Sequence, residues 1–392
     1  MTTSTAATLR VGIVGCGGIG RSHARAYTAN PAVELVGVHD IDPSHASAYA
    51  EEFATTAYAS LAELVAQGLQ LVSVATPPGS HTDVTVAALE LGCSVLLEKP
   101  PVINLADFDT IARAEAASPG SVYVVFQHRH GSGARRAHRL LTAGALGTPQ
   151  VAVCETLWYR PDSYFDPEWR GNWAGEGGGP TLGHGIHQID LLLHLLGDWT
   201  SVDARAARIA RPIEFEDVSM AVVTFADGAM ASVVTSLLSP RELSRIRIDT
   251  TQGTLEVNHL YGYRDADWSW FPVPDAATAA TNGRDPELAR ATGSAVGVDT
   301  WQRSAVVDVP SNHAAQIDEL VADLLAGRRH STTLSSTRPT MELVTALYAS
   351  ATEGETIRRG DLTPDRPYYD RLDGGTPDAL VTHRSPRKAS LT

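Results

Sequence analysis

The side chains best suited to catalysis in this sequence are His184, His187 and Asp190, which follow three consecutive glycines at 177–179. Their spacing of three residues makes each a near neighbour of the next on the surface of a helix. A histidine can exchange a proton near neutral pH, and a carboxylate can orient its ring. The glycines allow backbone conformations that other residues avoid. A helix whose histidines find partners in the core fits the same pattern, and this stretch by itself favours neither interpretation.

Lys99 is a further side chain that could take part in catalysis. It follows Glu98 directly after the apolar run 94–97. If that run is a strand of a parallel sheet, Lys99 lies at the edge where such sheets bind ligands. An ammonium group there donates a hydrogen bond to a substrate hydroxyl and favours its deprotonation. A surface lysine in a turn stiffened by Pro100 is the alternative, and position alone favours that alternative.

A dinucleotide site is indicated by the pattern Gly15-x-Gly17-x-x-Gly20, which has a strand pattern before it and a helix pattern after it. The glycines permit a tight turn and close approach to a pyrophosphate, which binds the free N–H groups of the helix N-terminus. Asp40 stands 20 residues beyond Gly20. Its carboxylate can accept hydrogen bonds from both ribose hydroxyls and repels a 2′-phosphate, so NAD is favoured over NADP.

Alternating strands and helices must position these groups. Strand patterns at 9–14, 33–39, 69–75, 94–97 and 122–126 alternate with helix patterns. This order predicts an α/β fold with a parallel Rossmann sheet and right-handed crossovers. Such a sheet gathers ligand contacts at its strand ends. Besides Asp40, the predicted cofactor-binding residues are Gly15, Gly17, Gly18, Ile19, Gly20, Thr76, Pro77, His81, Glu98, Lys99 and Gln127.

The second half of the chain has strand patterns that follow one another with short turns. These successive strands are predicted at 218–225, 229–238, 244–249 and 254–257, after a separate strand at 151–157. Asp227-Gly228 and Gln252-Gly253 are turn sequences typical of hairpins, which predicts an antiparallel meander. A loop is predicted at 272–297, and helices are predicted at 313–325 and 340–351.

These patterns divide the chain of 392 residues into two domains and two ends. We predict a disordered N-terminus over 1–8, a Rossmann NAD-binding domain over 9–128, and a substrate-binding and oligomerisation α/β domain over 129–363. The last segment, 364–392, has prolines, charges and little periodicity, which predicts an extended or disordered tail.

A substrate wall is predicted in the aromatic and arginine-rich segment before the glycine run. Its members Tyr159, Arg160, Trp169 and Arg170 suit a sugar, since rings cover C–H faces and polar groups hold hydroxyls. Arg129 is a further candidate from the start of the second domain. The alternatives are that the aromatic residues form only the loop's own core, and that Arg129 or Arg160 is a structural ion-pair partner.

Composition excludes several classes of partner. The formal net charge of −14 argues against nucleic acid, whose binding needs a basic footprint. No apolar run reaches the ~18 residues of a membrane span, and residues 1–8 do not resemble a secretory signal. The cysteines Cys16, Cys93 and Cys154 are far apart, as expected of reduced thiols in a cytoplasmic protein.

Three motifs in this order carry a family resemblance: the glycine pattern, Glu98-Lys99-Pro100, and the glycine run 177–179 leading to Gly185-x-His187-x-x-Asp190. Over roughly residues 9–360 the chain resembles the glucose–fructose oxidoreductase/inositol dehydrogenase/MocA (Gfo/Idh/MocA) family. The resemblance implies a C-terminal α/β domain with a large, mostly antiparallel open sheet, and a homodimer or homotetramer formed through that sheet. It also implies NAD(P)-dependent oxidation of a sugar or polyol, with Lys99 and His187 as the catalytic residues.

The sequence departs from the family pattern at one position. Family members commonly carry an aspartate four residues before the catalytic histidine, and here that position is Gly183, next to His184. The departure leaves open whether the acid/base set is complete or whether His184 takes over the missing role.

The predicted function is NAD-dependent oxidation of a secondary hydroxyl of a sugar, glycoside or inositol to a ketone. His187 is the predicted general base, Lys99 stabilises the developing charge, and His184 binds a second substrate hydroxyl. Asp190 orients His187 or binds another substrate hydroxyl, and the alternative is a carboxylate with a purely structural partner. The alternatives are a redox-neutral lyase, glycosidase or epimerase that works through transient oxidation, and a non-catalytic sensor of NAD or sugar. His184, His187, Asp190 and His194 have spacing compatible with a metal, but hydroxyl oxidation by NAD needs none, and no metal is predicted.

Overall fold

The computed structural model describes residues 8–273, 300–304 and 307–380. Its helices are α1 (Gly18–Ala29), α2 (Pro43–Glu52), α3 (Leu61–Val65), α4 (His81–Glu90), α5 (Leu105–Ala117), α6 (Ser132–Thr142), α7 (Pro180–Gly183), α8 (Ile186–Leu196), α9 (His313–Leu325), α10 (Leu334–Glu353) and α11 (Pro367–Asp370). Its strands are β1 (Leu9–Val14), β2 (Val33–His39), β3 (Thr56–Ala57), β4 (Leu71–Val74), β5 (Ser94–Leu97), β6 (Val122–Val124), β7 (Pro149–Tyr159), β8 (Trp199–Ala207), β9 (Val218–Phe225), β10 (Met230–Ser236), β11 (Leu238–Thr250), β12 (Gly253–Asn258), β13 (Trp268–Pro272) and β14 (Ile357–Arg358). Within the described ranges, no helix is both long enough and apolar enough to cross a membrane.

Strands β1 to β6 form a parallel sheet in the order β3-β2-β1-β4-β5-β6. The order reverses between β1 and β4, and ligands bind open α/β sheets at such a switch point, beyond the carboxyl ends of the strands. The predicted Rossmann sheet is therefore confirmed. Strand β3 was not predicted because two residues are too few to show a periodic pattern.

Helix α9 comes late in the chain but packs on this first sheet. Ile317, Leu320 and Val321 of α9 share one core with Leu9 of β1. The layer that covers this face is therefore assembled from distant parts of the sequence, although α9 falls inside the range 129–363 predicted for the second domain.

Strands β7 to β14 form a second sheet in the order β13-β12-β11-β7-β10-β9-β8-β14. The predicted hairpins β9–β10 and β11–β12 are antiparallel, as expected. The predicted meander is wrong at one place, because β7 lies between β10 and β11 and runs parallel to β10. Turn sequences report only strands that follow one another, whereas β7 enters this sheet from much earlier in the chain.

Helices α8 and α10 pack against one face of the second sheet. Burial alternates along the strands, so that Ala221 and Val223 of β9 are buried while the alternate residues Met220 and Val222 are exposed. The sheet therefore has one face against the helices and one face that the described residues leave open.

Helix α10 begins earlier than the predicted residue 340. Thr333 caps it, because its hydroxyl oxygen accepts a hydrogen bond from the backbone N–H of Ser336 at 3.2 Å. Pro339 lies inside the helix. A proline in a helical pattern usually marks a helix boundary. The predicted helix therefore began directly after Pro339, six residues later than the observed start at Leu334.

The predicted tail from residue 364 is wrong as far as Leu380. Tyr368, Tyr369 and Leu372 are buried against the main core, and the carbonyl of Leu380 accepts a hydrogen bond from the N–H of Arg208 at 2.8 Å. A few large apolar side chains are enough to dock a segment whose average composition is polar. The predictions for 1–7 and 381–392, and most of the predicted loop 272–297, lie outside the described residues.

Candidate active site

The turn after β1 forms an open cradle at the N-terminus of α1. Gly15 has φ +99°, and a Cβ there would lie 2.6 Å from the Ala75 carbonyl group, so both backbone and space require glycine. By contrast, a Cβ on Gly17 or Gly18 would meet nothing within 4 Å. Helix α1 has no side-chain cap at Gly17 and no acidic residue in its first turn. Free N–H groups, a positive dipole end and open space fit a pyrophosphate.

Asp40 lies beside this cradle, at the end of β2. Its carboxylate oxygens accept hydrogen bonds from the N–H of Cys16 at 2.7 Å and the N–H of Asp42 at 2.9 Å. The glycine turn and the predicted ribose-binding carboxylate are therefore held together by direct contact.

His81 ties together the loops that follow β4 and β5. Its ring nitrogens lie 2.8 Å from the carbonyl oxygens of both Thr76 and Pro100, and the side chain is buried. Burial lowers the pKa of His81. These contacts hold two loops of the predicted cofactor site against each other.

Glu98 is the centre of a buried hydrogen-bond network. Its carboxylate lies 2.9 Å from Nε2 of His23 and 3.1 Å from Nε2 of His313, and it accepts the N–H of Lys99 at 3.0 Å. Hydrogen bonds from the two histidines hold the pKa of Glu98 well below its usual range, against the effect of burial. Glu98 therefore holds the backbone of Lys99 in place through its contacts with the two histidines. His23 and His313 were not predicted, because they lie on helices far apart in the sequence.

Lys99 reaches from the end of β5 to the glycine-rich segment of the second domain. Its Nζ donates a hydrogen bond to the carbonyl oxygen of Gly183 at 3.1 Å. Burial lowers the pKa of Lys99, with a smaller contribution of the same sign from Arg170. The contact joins the edge of the Rossmann sheet to the backbone four residues before His187.

The glycine run is clamped by two buried side chains, one from the loop before β9 and one from α10. The carboxylate of Glu216 accepts the N–H of Thr181 at 3.1 Å and the hydroxyl of Tyr348 at 2.8 Å. A Cβ on Gly178 would lie 2.6 Å from the Tyr348 hydroxyl, and one on Gly179 would lie 2.7 Å from Oε2 of Glu216. The run is glycine because the clamp approaches its backbone too closely for side chains.

The predicted continuous polar row is wrong in its geometry. Helix α7 ends at Gly183, His184 has non-helical angles at its C-terminal cap, and α8 begins at Ile186. His184 and His187 therefore lie on opposite sides of a helix junction. The glycines that signal a flexible entry also allow this break, which periodicity alone does not reveal.

Burial raises the pKa of Glu216 to about 7, from an ordinary value of 4.5. Because the folded state binds this proton more tightly than the unfolded chain, the stability from Glu216 is fully present below pH ~4.5 and is lost as pH rises to ~7. We expect Glu216→Gln to remove this loss, which amounts to at most about 3 kcal/mol. Urea unfolding of wild type and variant between pH 5 and 8 measures the difference. Glu214→Gln, an exposed neighbour, is the matched control, and equal slopes for Glu216→Gln and wild type would contradict the prediction.

His187 lies in a nest of rings on the side of α8 that faces the Rossmann sheet. It is 3% exposed, with its ring centroid 5.1 Å from that of His128 and 5.6 Å from that of Tyr261. Neither ring nitrogen has a hydrogen-bond partner among the described residues, and Nδ1 is enclosed. Burial first, and the Lys99 ammonium second, hold the pKa of His187 well below its usual range. The neutral ring has a lone pair free to accept a proton.

Two of the rings around His187 were not predicted. Burial lowers the pKa of His128 to about 3, so this neighbour is also neutral. Tyr261 accepts a hydrogen bond from Nε2 of Gln127, so the predicted cofactor residue Gln127 contacts one of the rings around His187. Tyr261 comes from the segment after β12, and no local pattern marks it.

His184 faces the aromatic segment of the predicted substrate wall. Its Nε2 lies 3.3 Å from the Tyr164 hydroxyl, and its ring meets the edge of Trp158 at a centroid distance of 5.1 Å. Burial, then the charges of Lys99, Arg160 and Arg170, hold the pKa of His184 well below its usual range. The ring is therefore neutral and surrounded by cations.

The prediction of Tyr159 for the substrate wall is corrected by strand geometry. Buried residues of β7 include Cys154 and Thr156, and Trp158 shares their face by the two-residue period. Tyr159 is 42% exposed on the other face, where Arg211 lies over its ring. Strand parity is the signal that identifies Trp158 instead.

The other predicted wall residues are held in local ion pairs. Arg160 pairs with Glu242 at 2.9 Å and lies over the Trp158 ring, so it is both an ion-pair partner and a wall residue. Arg170 pairs with Glu176 at 3.0 Å and lies over the ring of Trp169. These pairs hold the wall close to His184.

Arg129 and Asp190 pair with each other, behind the nest of rings. Nε of Arg129 lies 2.7 Å from the Asp190 carboxylate, which also accepts the Thr340 hydroxyl at 2.9 Å. Asp190 is fully buried, which corrects its predicted contact with substrate hydroxyls and agrees with the ion-pair alternative for Arg129. His194 instead stacks on His138 at 4.1 Å, so His184, His187, Asp190 and His194 do not converge as metal ligands.

Comparison with known proteins finds two models of one family that match successive parts of the chain. Residues 9–126 match the model of an oxidoreductase family with an NAD-binding Rossmann fold, GFO/IDH/MocA, and residues 134–256 match the GFO/IDH/MocA C-terminal domain. D-apiose dehydrogenase of Paraburkholderia graminis is 26% identical over 394 residues, which cover 95% of this chain and 96% of that protein. D-glucoside 3-dehydrogenase of Escherichia coli K12 is 32% identical over 199 residues, which cover 49% of this chain and 55% of that protein.

A solved structure extends the likeness to the fold as a whole. The WlbA dehydrogenase from Bordetella pertussis, in complex with NADH and UDP-GlcNAcA, superimposes with a TM-score of 0.75 at 25% identity. The superposition covers 91% of this chain and 99% of the other. Because both family models match in the expected order, the chain belongs to the Gfo/Idh/MocA family of oxidoreductases, with an NAD-binding Rossmann domain followed by the family's C-terminal domain.

Proposed function

We propose that this protein is an NAD-dependent dehydrogenase that oxidises a secondary hydroxyl of a sugar, glycoside or inositol to a ketone. The observation that carries the proposal is the hydrogen bond from Lys99 to the carbonyl of Gly183, which joins the edge of the Rossmann sheet to the backbone four residues before His187. The ammonium can bind a substrate oxygen there, and the neutral ring of His187 can accept its proton. Similarity to an apiose dehydrogenase and a glucoside dehydrogenase supports a sugar as the substrate.

NAD fits the cradle after β1. The free N–H groups of Gly17 and Gly18 would hold its pyrophosphate and Asp40 its ribose hydroxyls, since both positions are open and held next to each other. When bound, the nicotinamide supplies the acceptor for the hydride. The chain's own part is to orient the hydroxyl with Lys99, to take its proton on a ring nitrogen of His187, and to keep water away with buried aromatic rings.

The test of the proposed function is a screen of sugars, glycosides and inositols with NAD and with NADP, read as absorbance of the reduced cofactor. We expect reduced cofactor to accumulate in proportion to a keto product for at least one compound. Product formed without reduced cofactor would contradict a net dehydrogenase and indicate the redox-neutral alternative. Binding without any turnover would indicate a sensor.

The preference for NAD over NADP is expected to depend on the charge of Asp40. The carboxylate would repel a 2′-phosphate, and Asp40→Asn removes the charge while keeping an oxygen for the N–H of Cys16. We expect the ratio of the dissociation constants for NADP and NAD to fall by at least ~tenfold. Titration of both cofactors by calorimetry measures the ratio, and an unchanged ratio would remove Asp40 from this role.

The open face of the second sheet is expected to bind a second copy of the chain. Val151, Met220, Val222 and Met230 lie on adjacent strands of this face and are 43–57% exposed. Clusters of exposed apolar side chains of this kind are typical of protein interfaces. Light scattering is expected to give the mass of a dimer or tetramer, and Met220→Glu should lower it. A wild-type mass equal to one chain would contradict the expectation.

A further inference from the structure

Gly183 has no structural need to be glycine. It lies in α7, its φ is not positive, and a Cβ there would meet nothing within 4 Å. Gly178 and Gly179, a few residues earlier, are by contrast excluded from carrying a side chain by Tyr348 and Glu216. Glycine weakens a helix relative to alanine, and here it leaves open space where a side chain would fit.

The open space adjoins a lysine that has no counter-ion in contact. Lys99 donates one hydrogen bond, to the Gly183 carbonyl, and an ammonium group has three donors. No carboxylate forms an ion pair with Lys99 among the residues that the structure describes. Glu98 is occupied by His23 and His313.

The other nearby carboxylate is also occupied. Glu176 accepts hydrogen bonds from Arg170 at 3.0 Å and from the N–H of Gly171 at 2.8 Å. The charges of Lys99, Arg160 and Arg170 all act on His184, where each lowers the pKa of the ring. Arg160 and Arg170 are paired with Glu242 and Glu176, so among these three cations Lys99 is the one that has no carboxylate partner within the described residues.

We propose that position 183 determines substrate specificity, and that the space over Gly183 receives a carboxylate of the substrate, which pairs with Lys99. The substrate class is then an acidic sugar, such as a uronate, rather than a neutral one. This inference rests on the proposed function, since it places the substrate at the site of Lys99 and His187. A carboxylate from the ligand satisfies donors of a partly buried ammonium that the described residues leave without an ion-pair partner.

The sequence offers a direct probe of Lys99. Lys99 and Lys388 are the two lysines of the chain, so protein labelled with ¹³C at lysine Cε gives two lysine signals. We would titrate the NAD-bound protein with D-glucuronate, D-galacturonate and D-mannuronate, each against its neutral aldose. We expect at least one acid to shift the Lys99 signal, to raise the Lys99 pKa, and to bind at least tenfold more tightly than its neutral counterpart.

Three variants separate charge from space. Gly183→Asp places a carboxylate beside Lys99 and should abolish the preference for the acid. Gly183→Ala fills the space without charge and should weaken acid binding at least threefold. Gly360→Ala is the matched control, since a Cβ on Gly360 also meets nothing within 4 Å. Gly360→Ala should change neither the preference for the acid nor the affinity for it.

Two results would overturn the inference. One is that none of the three acids shifts the Lys99 signal more than its neutral counterpart. The other is that Gly183→Asp keeps the full preference for the acid. If reduced cofactor forms from neutral sugars alone, the acidic-substrate inference is wrong and the proposed dehydrogenase function stands. If an acid binds at Lys99 but no cofactor is reduced, the acidic ligand stands and the proposed dehydrogenase function is wrong.

Discussion

His187→Ala is expected to lower kcat by ~10²–10⁴-fold, the usual contribution of a general base, while the dissociation constant for NAD stays the same. The ring is positioned for this role because it is neutral, free of hydrogen-bond partners among the described residues, and beside Lys99. Stopped-flow measurement of reduced cofactor gives kcat, and calorimetry gives cofactor binding. Retained turnover would remove His187 from the role of base.

A second histidine of the same helix supplies the control. His194 stacks on His138, outside the nest of rings around His187, so His194→Ala should leave kcat within about twofold of wild type. The pH profile adds an independent readout. Because burial and Lys99 hold the pKa of His187 well below its usual range, the acid limb of kcat/KM should lie below pH ~6.5. An acid limb at or above that pH would show that another group, or a different environment, governs proton transfer.

Local patterns predict the parts of this site that are built from short segments. The strand, the glycine turn and Asp40 could be predicted because their chemistry depends on neighbours within one βαβ unit, and Asp40 contacts the turn through the N–H of Cys16. The side of β7 that faces the site could also have been predicted, since strand parity assigns Trp158 to the buried face and Tyr159 to the other.

The contacts that hold the catalytic candidates in place could not be predicted in this way. Glu216, from the loop before β9, and Tyr348 of α10 meet the glycine run, and Asp190 is bound by Arg129 from the turn after β6. Each is a long-range pairing of buried polar groups, which is set by how the two sheets pack and not by the spacing along one element. The insertion of β7 between β10 and β11 is hidden from turn sequences for the same reason.

Lys99→Met is expected to lower kcat by ~10²–10³-fold, the usual cost of losing a donor that stabilises charge in the transition state. Methionine keeps the length and apolar stem of the side chain, so the variant removes the ammonium without opening a cavity. Lys388→Met, at the other lysine of the sequence, is the matched control and should keep full activity.

The pH dependence distinguishes the charge of Lys99 from a merely structural role. Because burial lowers the pKa of Lys99, its ammonium form is present at low pH and is lost as pH rises through a value below the ordinary 10.5. Wild-type kcat should therefore fall on the alkaline side before that value, and the residual activity of Lys99→Met should lack this limb. If the variant keeps both the rate and the alkaline limb, Lys99 serves only to join the sheet edge to Gly183, and the charge that stabilises the reacting oxygen must come from another group.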